Sequence, residues 1–238
     1  MSDIAANLAD VQARIAAAAG RAGRDPAGVT LLPISKTVPE ARLREAIAAG
    51  LTRLGENRVQ EAKGKAEALA DLSPRWTVVG HLQTNKVKAM LSFADEFQAL
   101  DSLRLAEALD RVLQAQGRAL DVHVQVNTSA EASKFGLEPE ALPDFLKALS
   151  AFTSLRPRGL MTLAAFTPDE TVVRGCFRRL RTLATAAEQD LGQPLGLSMG
   201  MSGDFEAAIE EGATLVRVGQ AIFGRRATPD SFYWPGEA

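Results

Sequence analysis

Val29-Thr30-Leu31-Leu32-Pro33-Ile34-Ser35-Lys36, followed by a helical pattern from Pro39 that closes at Gly50, is the first unit of a repeat that organises the whole chain. A short apolar run reads as a strand, and a proline at the start with a glycine at the end brackets a helix. The turn after the strand decides between two architectures. A dinucleotide-binding sheet places G-x-G-x-x-G at that turn, whereas this chain has Ser35-Lys36-Thr37, and no G-x-x-x-x-G-K-[ST] occurs anywhere. Strand and helix alternate again at 51–56 and 58–70, 76–82 and 85–92, 97–100 and 103–114, 121–127 and 139–150, 155–163 and 169–190, 195–201 and 205–211. A last strand at 214–218 precedes at most one helical turn at 219–224. Ahead of them Ile4, Leu8, Val11 and Ile15 recur at helical spacing over 2–19. Eight strand-helix units without a linker predict an α/β fold, a single (β/α)8 TIM barrel domain over 1–238 with an extra N-terminal helix.

The composition excludes several functions. In 238 residues, 27 Lys and Arg face 29 Asp and Glu, which leaves no basic excess for a phosphate backbone, so no nucleic-acid partner is expected. One cysteine, Cys176, and two histidines, His81 and His123, supply neither a disulfide framework nor a zinc ligand set. The first residues carry Asp3 and Asp10 in place of a basic and then apolar leader, and no run of about eighteen apolar residues occurs. A reduced, cytoplasmic chain without a metal or a membrane span is the expectation.

In a barrel, chemistry gathers where the strands end. Those ends are polar here: Ser35-Lys36, Glu56-Asn57, 81–83, Asp101-Ser102, Asn127-Thr128, Met161-Thr162, 199–202 and 217–220. Alternate strand residues face the lumen, which puts His123, Gln125 and Asn127 inward, Lys36 on the face of Leu32 and Ile34, and Arg217 on that of Leu215 and Gly219. Strands one and eight adjoin when a barrel closes, so a lysine and an arginine enter one lumen side by side. A desolvated lysine beside a cation is what capture of a carbonyl carbon requires. Gly219, ending strand eight before a helical turn, exposes backbone N–H groups to an anion, and Ser202 and Gly203 add to them. His81 reads equally as a site residue or a rim residue. His123 reads as a satisfied group inside the barrel, and Cys176 as structural. Arg174, Arg178, Arg179 and Arg181 read as a solvated helix face, with a docking surface as the other reading.

The sequence resembles the YggS/PROSC family of pyridoxal-phosphate homeostasis proteins. The likeness rests on Ile34-Ser35-Lys36, Gly55-Glu56-Asn57-Arg58-Val59-Gln60-Glu61, Gly80-His81-Leu82-Gln83-Thr84-Asn85-Lys86, Ser133-Lys134-Phe135-Gly136, Gly159-Leu160-Met161, Leu197-Ser198-Met199-Gly200-Met201-Ser202 with Asp204, and the stretch 216–224. These motifs run in order over nearly the whole chain. The resemblance implies a barrel of the alanine-racemase N-terminal type holding pyridoxal 5'-phosphate (PLP) as a Schiff base on Lys36. It also implies Arg217 at the pyridine nitrogen, Asn57 near the ring, and the phosphate on Ser202 with the backbone of Gly203, Gly219 and Gln220. One departure is Trp76-Thr77, where the family has a Trp-His pair; Thr77, near the start of its strand, is expected to leave cofactor binding untouched.

An arginine at the pyridine nitrogen disfavours protonation there, which makes the ring a poorer electron sink than one paired with a carboxylate and narrows the possible reactions, though racemisation could still proceed. Racemases of this fold take a tyrosine base from a separate C-terminal domain, while this chain stops at Ala238 with a single tyrosine, Tyr233. A non-catalytic carrier for vitamin B6 and amino-acid homeostasis is the expected function, with PLP-dependent apo-enzymes as recipients and a monomer as the expected state. A small PLP-dependent amino-acid racemase is the alternative. Lys134 reads as a solvated loop lysine or a phosphate counter-charge, with a second aldehyde-capturing site as a further reading.

Overall fold

The computed structural model describes residues 3–131 and 134–224. After α1 (Ile4–Arg21), strands and helices alternate: β1 (Thr30–Pro33), α2 (Glu40–Ala48), β2 (Arg53–Glu56), α3 (Val59–Ala68), β3 (Arg75–Val78), α4 (Val87–Leu91), β4 (Glu96–Leu100) and α5 (Leu103–Ala115). They continue as β5 (Leu120–Gln125), α6 (Leu142–Leu149), β6 (Leu155–Met161), α7 (Glu170–Leu191), β7 (Gly196–Ser198), α8 (Phe205–Glu210), β8 (Leu215–Val218) and α9 (Gln220–Phe223). The units expected from the sequence are all present; β1, β3, β5, β6 and β7 are trimmed at their C-terminal ends, where the chain leaves the ladder for the loops, while β2, β4 and β8 end as expected.

All strands pair in parallel, in the order β1-β8-β7-β6-β5-β4-β3-β2. The ring closes between β1 and β2 through one bridge, Ile34 to Gly55, where the Ser35 amide donates to the Gly55 carbonyl at 2.9 Å. Leu32 sits in register with Arg217 across β1 and β8, which sets the two candidate cations on neighbouring strands.

Period-two alternation sorts the side chains. Leu32, Ile34 and Leu215 form their own buried cluster in the lumen, apart from the larger core between sheet and helices that takes Val122, Val124 and Val126. The rest of the lumen is polar. His123 points inward as expected, and its ring fits because Gly159 and Gly196 carry no side chains: a Cβ on Gly159 would lie 2.7 Å from His123 Cδ2. Its Nδ1 lies 3.1 Å from Glu96 Oε1, and this partner helps to hold the Glu96 carboxyl below its usual range against the effect of burial. Thr77 lies beside it low in the barrel, with Oγ1 3.3 Å from Glu96 Oε2.

Outside the ring, α1 packs on α8 and α9, and its Asn7 side chain donates to the Ile222 carbonyl at 2.9 Å. Arg174, Arg178 and Arg181 of α7 bond Glu210 or Glu211 of α8, and Arg179 reaches Glu140. The arginine row is thus an interhelical ion-pair network that fastens α7 to its neighbours. Cys176 is buried in α7. Among the described residues no helix is long and apolar enough to cross a membrane.

Candidate functional site

Lys36 is half-buried in a turn just beyond β1. Thr37 comes next with φ of 65°, a left-handed conformation unfavourable for a β-branched residue by about 1–3 kcal/mol. Such a turn persists only where its surroundings hold it. The Thr37 amide donates to Glu61 Oε1 at 2.6 Å, and the Ser35 carbonyl accepts from Lys65 Nζ at 2.6 Å. The same ammonium bonds Glu56 Oε1 and Glu61 Oε1, each at 2.6 Å, while the Ser35 hydroxyl donates to Glu56 Oε1 at 2.8 Å. Glu56 is wholly buried, and burial pushes its carboxyl above the usual range against the pull of Lys65.

Arg217 stands at the centre of the lumen, 4% exposed. Its guanidinium donates to Ser198 Oγ at 2.6 Å and to the Thr162 carbonyl at 2.7 Å, both neutral acceptors. Ser198 in turn donates to Gln98 Oε1 across the barrel at 2.7 Å, and Gln98 Nε2 donates to Glu96 Oε1 at 2.7 Å. Among the described residues no carboxylate lies within ion-pair distance of Arg217, and desolvation draws it down to about 10. It stays protonated at neutral pH. A buried cation with neutral partners is costly, and a ligand atom that accepts from it offsets that cost.

At the ends of β7 and β8, Ser202 Oγ accepts from the Gly219 amide at 3.3 Å, and Gln220 opens α9. A Cβ on Gly203 would meet nothing within 4 Å, so this loop lies open, whereas one on Gly219 would stand 3.0 Å from the Ile34 carbonyl oxygen. Gly219 therefore joins this corner directly to the strand that leads to Lys36. Asp204 accepts from the Met201 amide at 2.5 Å and shapes the loop; burial raises its carboxyl. A hydroxyl and backbone amides, with a buried guanidinium deeper in the lumen, form a donor set suited to an anionic group such as a phosphate.

Asn57 comes directly after β2, and its position depends on Gly80. A Cβ on Gly80 would stand 2.6 Å from the Asn57 carbonyl oxygen and 3.0 Å from its Cβ. We expect Gly80→Ala to displace Asn57 and weaken ligand binding by about tenfold, with a thermal midpoint only a few degrees lower; calorimetry beside a ligand titration checks both.

Beside Asn57 opens a cavity of about 570 Å³ lined also by Arg58, Glu61, His81, Gln83 and Lys86. His81 stacks on Phe135, with centroids 4.2 Å apart and planes at 13°, and its Nδ1 is 3.7 Å from Asp101 Oδ2, so it belongs to the rim of the mouth. Lys134 is no solvated loop lysine. Its Nζ donates to Glu131 Oε1 at 3.0 Å and to the Ala164 carbonyl at 2.7 Å, tying two loops together. Ser133 and Tyr233 lie outside the described residues. The sequence pattern alone did not assign Lys65, Glu61, Ser198 or Gln98 to the site. The first two carry a faint signal, an i,i+4 acid-base pair one turn beyond a strand that ends in Glu56.

Residues 6–227 match the family model described as alanine racemase, N-terminal domain. The pyridoxal phosphate homeostasis protein of Pseudomonas aeruginosa is 47% identical over 226 residues, covering 95% of this chain and 97% of that protein. The protein of the same name from Escherichia coli K12 is 41% identical over 232 residues, covering 95% and 98%. The structure of PipY from Synechococcus elongatus with PLP bound superposes with a TM-score of 0.82 at 37% identity, over 93% of this chain and 100% of that one.

Proposed function

Because the chain belongs to the alanine racemase N-terminal domain family, among the pyridoxal phosphate homeostasis proteins, we propose that it binds PLP covalently on Lys36 and holds it without catalysing turnover. One observation carries the reading: Arg217 is buried with neutral hydrogen-bond acceptors, Asp204 acting on it only at longer range, on the strand in register with the one that leads to Lys36. A pyridine nitrogen kept unprotonated is the acceptor such a guanidinium suits. Bound there, PLP supplies an aldehyde that a neutral lysine amine captures reversibly with loss of water.

The protein's own groups divide the remaining work. Ser202 and the amides of Gly203, Gly219 and Gln220 receive the phosphate, Asn57 lies at the ring, and Arg217 fixes the ring nitrogen. A cation at that nitrogen disfavours the proton that would make the ring a better electron sink, which narrows the reactions open to the site while leaving racemisation as the alternative. In this reading the chain is a cytoplasmic monomer that buffers PLP and passes it to apo-enzymes.

Exchange of the α-proton of amino acids in deuterated water tests the non-catalytic part. The expected result is exchange no faster than with free PLP. Exchange at enzymatic rates that vanishes in Lys36→Ala would establish a small racemase in its place.

A further inference from the structure

We propose that Lys65 is a positioning residue for Lys36, its ammonium locking the turn that presents the lysine by bonding the Ser35 carbonyl, Glu56 and Glu61 together. The inference rests on the reading of Lys36 as the cofactor lysine.

The geometry surrounds Lys36 on both sides along the chain. Before it, the Ser35 carbonyl accepts from Lys65 Nζ at 2.6 Å and the Ser35 hydroxyl donates to Glu56 Oε1 at 2.8 Å. After it, the Thr37 amide donates to Glu61 Oε1 at 2.6 Å, the same oxygen that Lys65 holds at 2.6 Å. One cation on α3 thus fixes the peptide groups flanking Lys36, directly at Ser35 and through Glu61 at Thr37. Glu61 and Lys65 stand one helical turn apart on α3, so both ends of the clamp are carried by a single rigid element.

The left-handed Thr37 is the second observation. A threonine at φ of 65° relaxes to an ordinary conformation unless contacts prevent it, and the prevented state persists where the direction of a neighbouring side chain matters. Glu56 supplies the anchor. It is fully buried, one oxygen takes both Ser35 and Lys65, and its Oε2 has no partner within the protein, so the carboxylate is retained at this depth for its bond to the ammonium.

The test compares the wild type with Lys65→Met and with the double variant Glu56→Gln/Lys65→Met, which keeps the buried position neutral should the single variant fail to fold. Lys65→Arg serves as the conservative variant. Two readouts are taken on the full-length protein. Amide hydrogen exchange over 35–38 in the cofactor-free protein is expected to quicken by about tenfold when Lys65 is lost and to return toward the wild-type rate with arginine. Titration with PLP, followed by visible absorption, is expected to show binding weakened by about tenfold with the band at an unchanged wavelength, since the groups that touch the ring remain. Unchanged exchange in both Met variants overturns the proposal. So does quickened exchange with wild-type affinity. A wild type that forms no band fails separately: it removes the reading of Lys36 on which the inference rests, whatever Lys65 does.

Discussion

Lys36→Ala should yield a folded protein that gains no phosphopyridoxyl mass after incubation with PLP and borohydride reduction, whereas the wild type gains one such adduct on the peptide carrying Lys36. The bonds from Lys65 to the Ser35 carbonyl, from the Ser35 hydroxyl to Glu56 and from the Thr37 amide to Glu61 remain when the lysine side chain is removed. Replacing this half-buried turn residue should therefore cost about 1 kcal/mol and leave the protein folded. What disappears is the amine, and with it the visible band. The donors at Ser202 and Gly219 stay in place, so weak non-covalent binding is retained and a phosphate-bearing analogue without an aldehyde should bind both proteins alike. Trapping that moves in full to Lys134 in the variant would contradict the assignment. Both acceptors of Lys134, Glu131 Oε1 and the Ala164 carbonyl, would first have to be released.

The architecture was readable because its signals are local. Apolar runs of strand length, each followed by an amphipathic stretch, recur along the chain, and a strand ending in Ser35-Lys36 without a glycine fingerprint separates a barrel from a dinucleotide-binding sheet. Strand parity carried Arg217, His123 and the valines of β5 to the correct faces for the same reason. The ladder itself ends at Pro33 with a single bridge at Ile34, so Lys36 follows in the turn beyond it. Lys65 and Ser198 were out of reach, because their importance lies in partners distant in sequence: Lys65 acts on Ser35, and Ser198 joins Arg217 to Gln98 across the lumen. Lys134 shows the converse error. A loop lysine is usually solvated, and only the folded chain reveals the Ala164 carbonyl that receives it.

Arg217→Met separates stability from binding more sharply than any other substitution in the lumen. The guanidinium is buried with neutral hydrogen-bond partners, so the cofactor-free protein carries the desolvation cost of a charge, several kcal/mol, offset only in part by Asp204 at longer range. Methionine fills comparable length without that cost. It leaves the Thr162 carbonyl and the Ser198 hydroxyl each short of a donor, a loss of about 1–3 kcal/mol apiece at most. The terms nearly cancel, so the thermal midpoint of the cofactor-free protein should hold or rise. Binding moves the other way. A charge-assisted bond to the ring nitrogen is worth about 1.5–3 kcal/mol, which corresponds to PLP held roughly ten- to a hundredfold more weakly, and the visible band should shift as the nitrogen becomes free to protonate. Calorimetry of the cofactor-free protein beside a spectrophotometric titration reads both quantities. A variant that melts well below the wild type yet binds PLP equally well would mean that the arginine holds the barrel together and not the ligand.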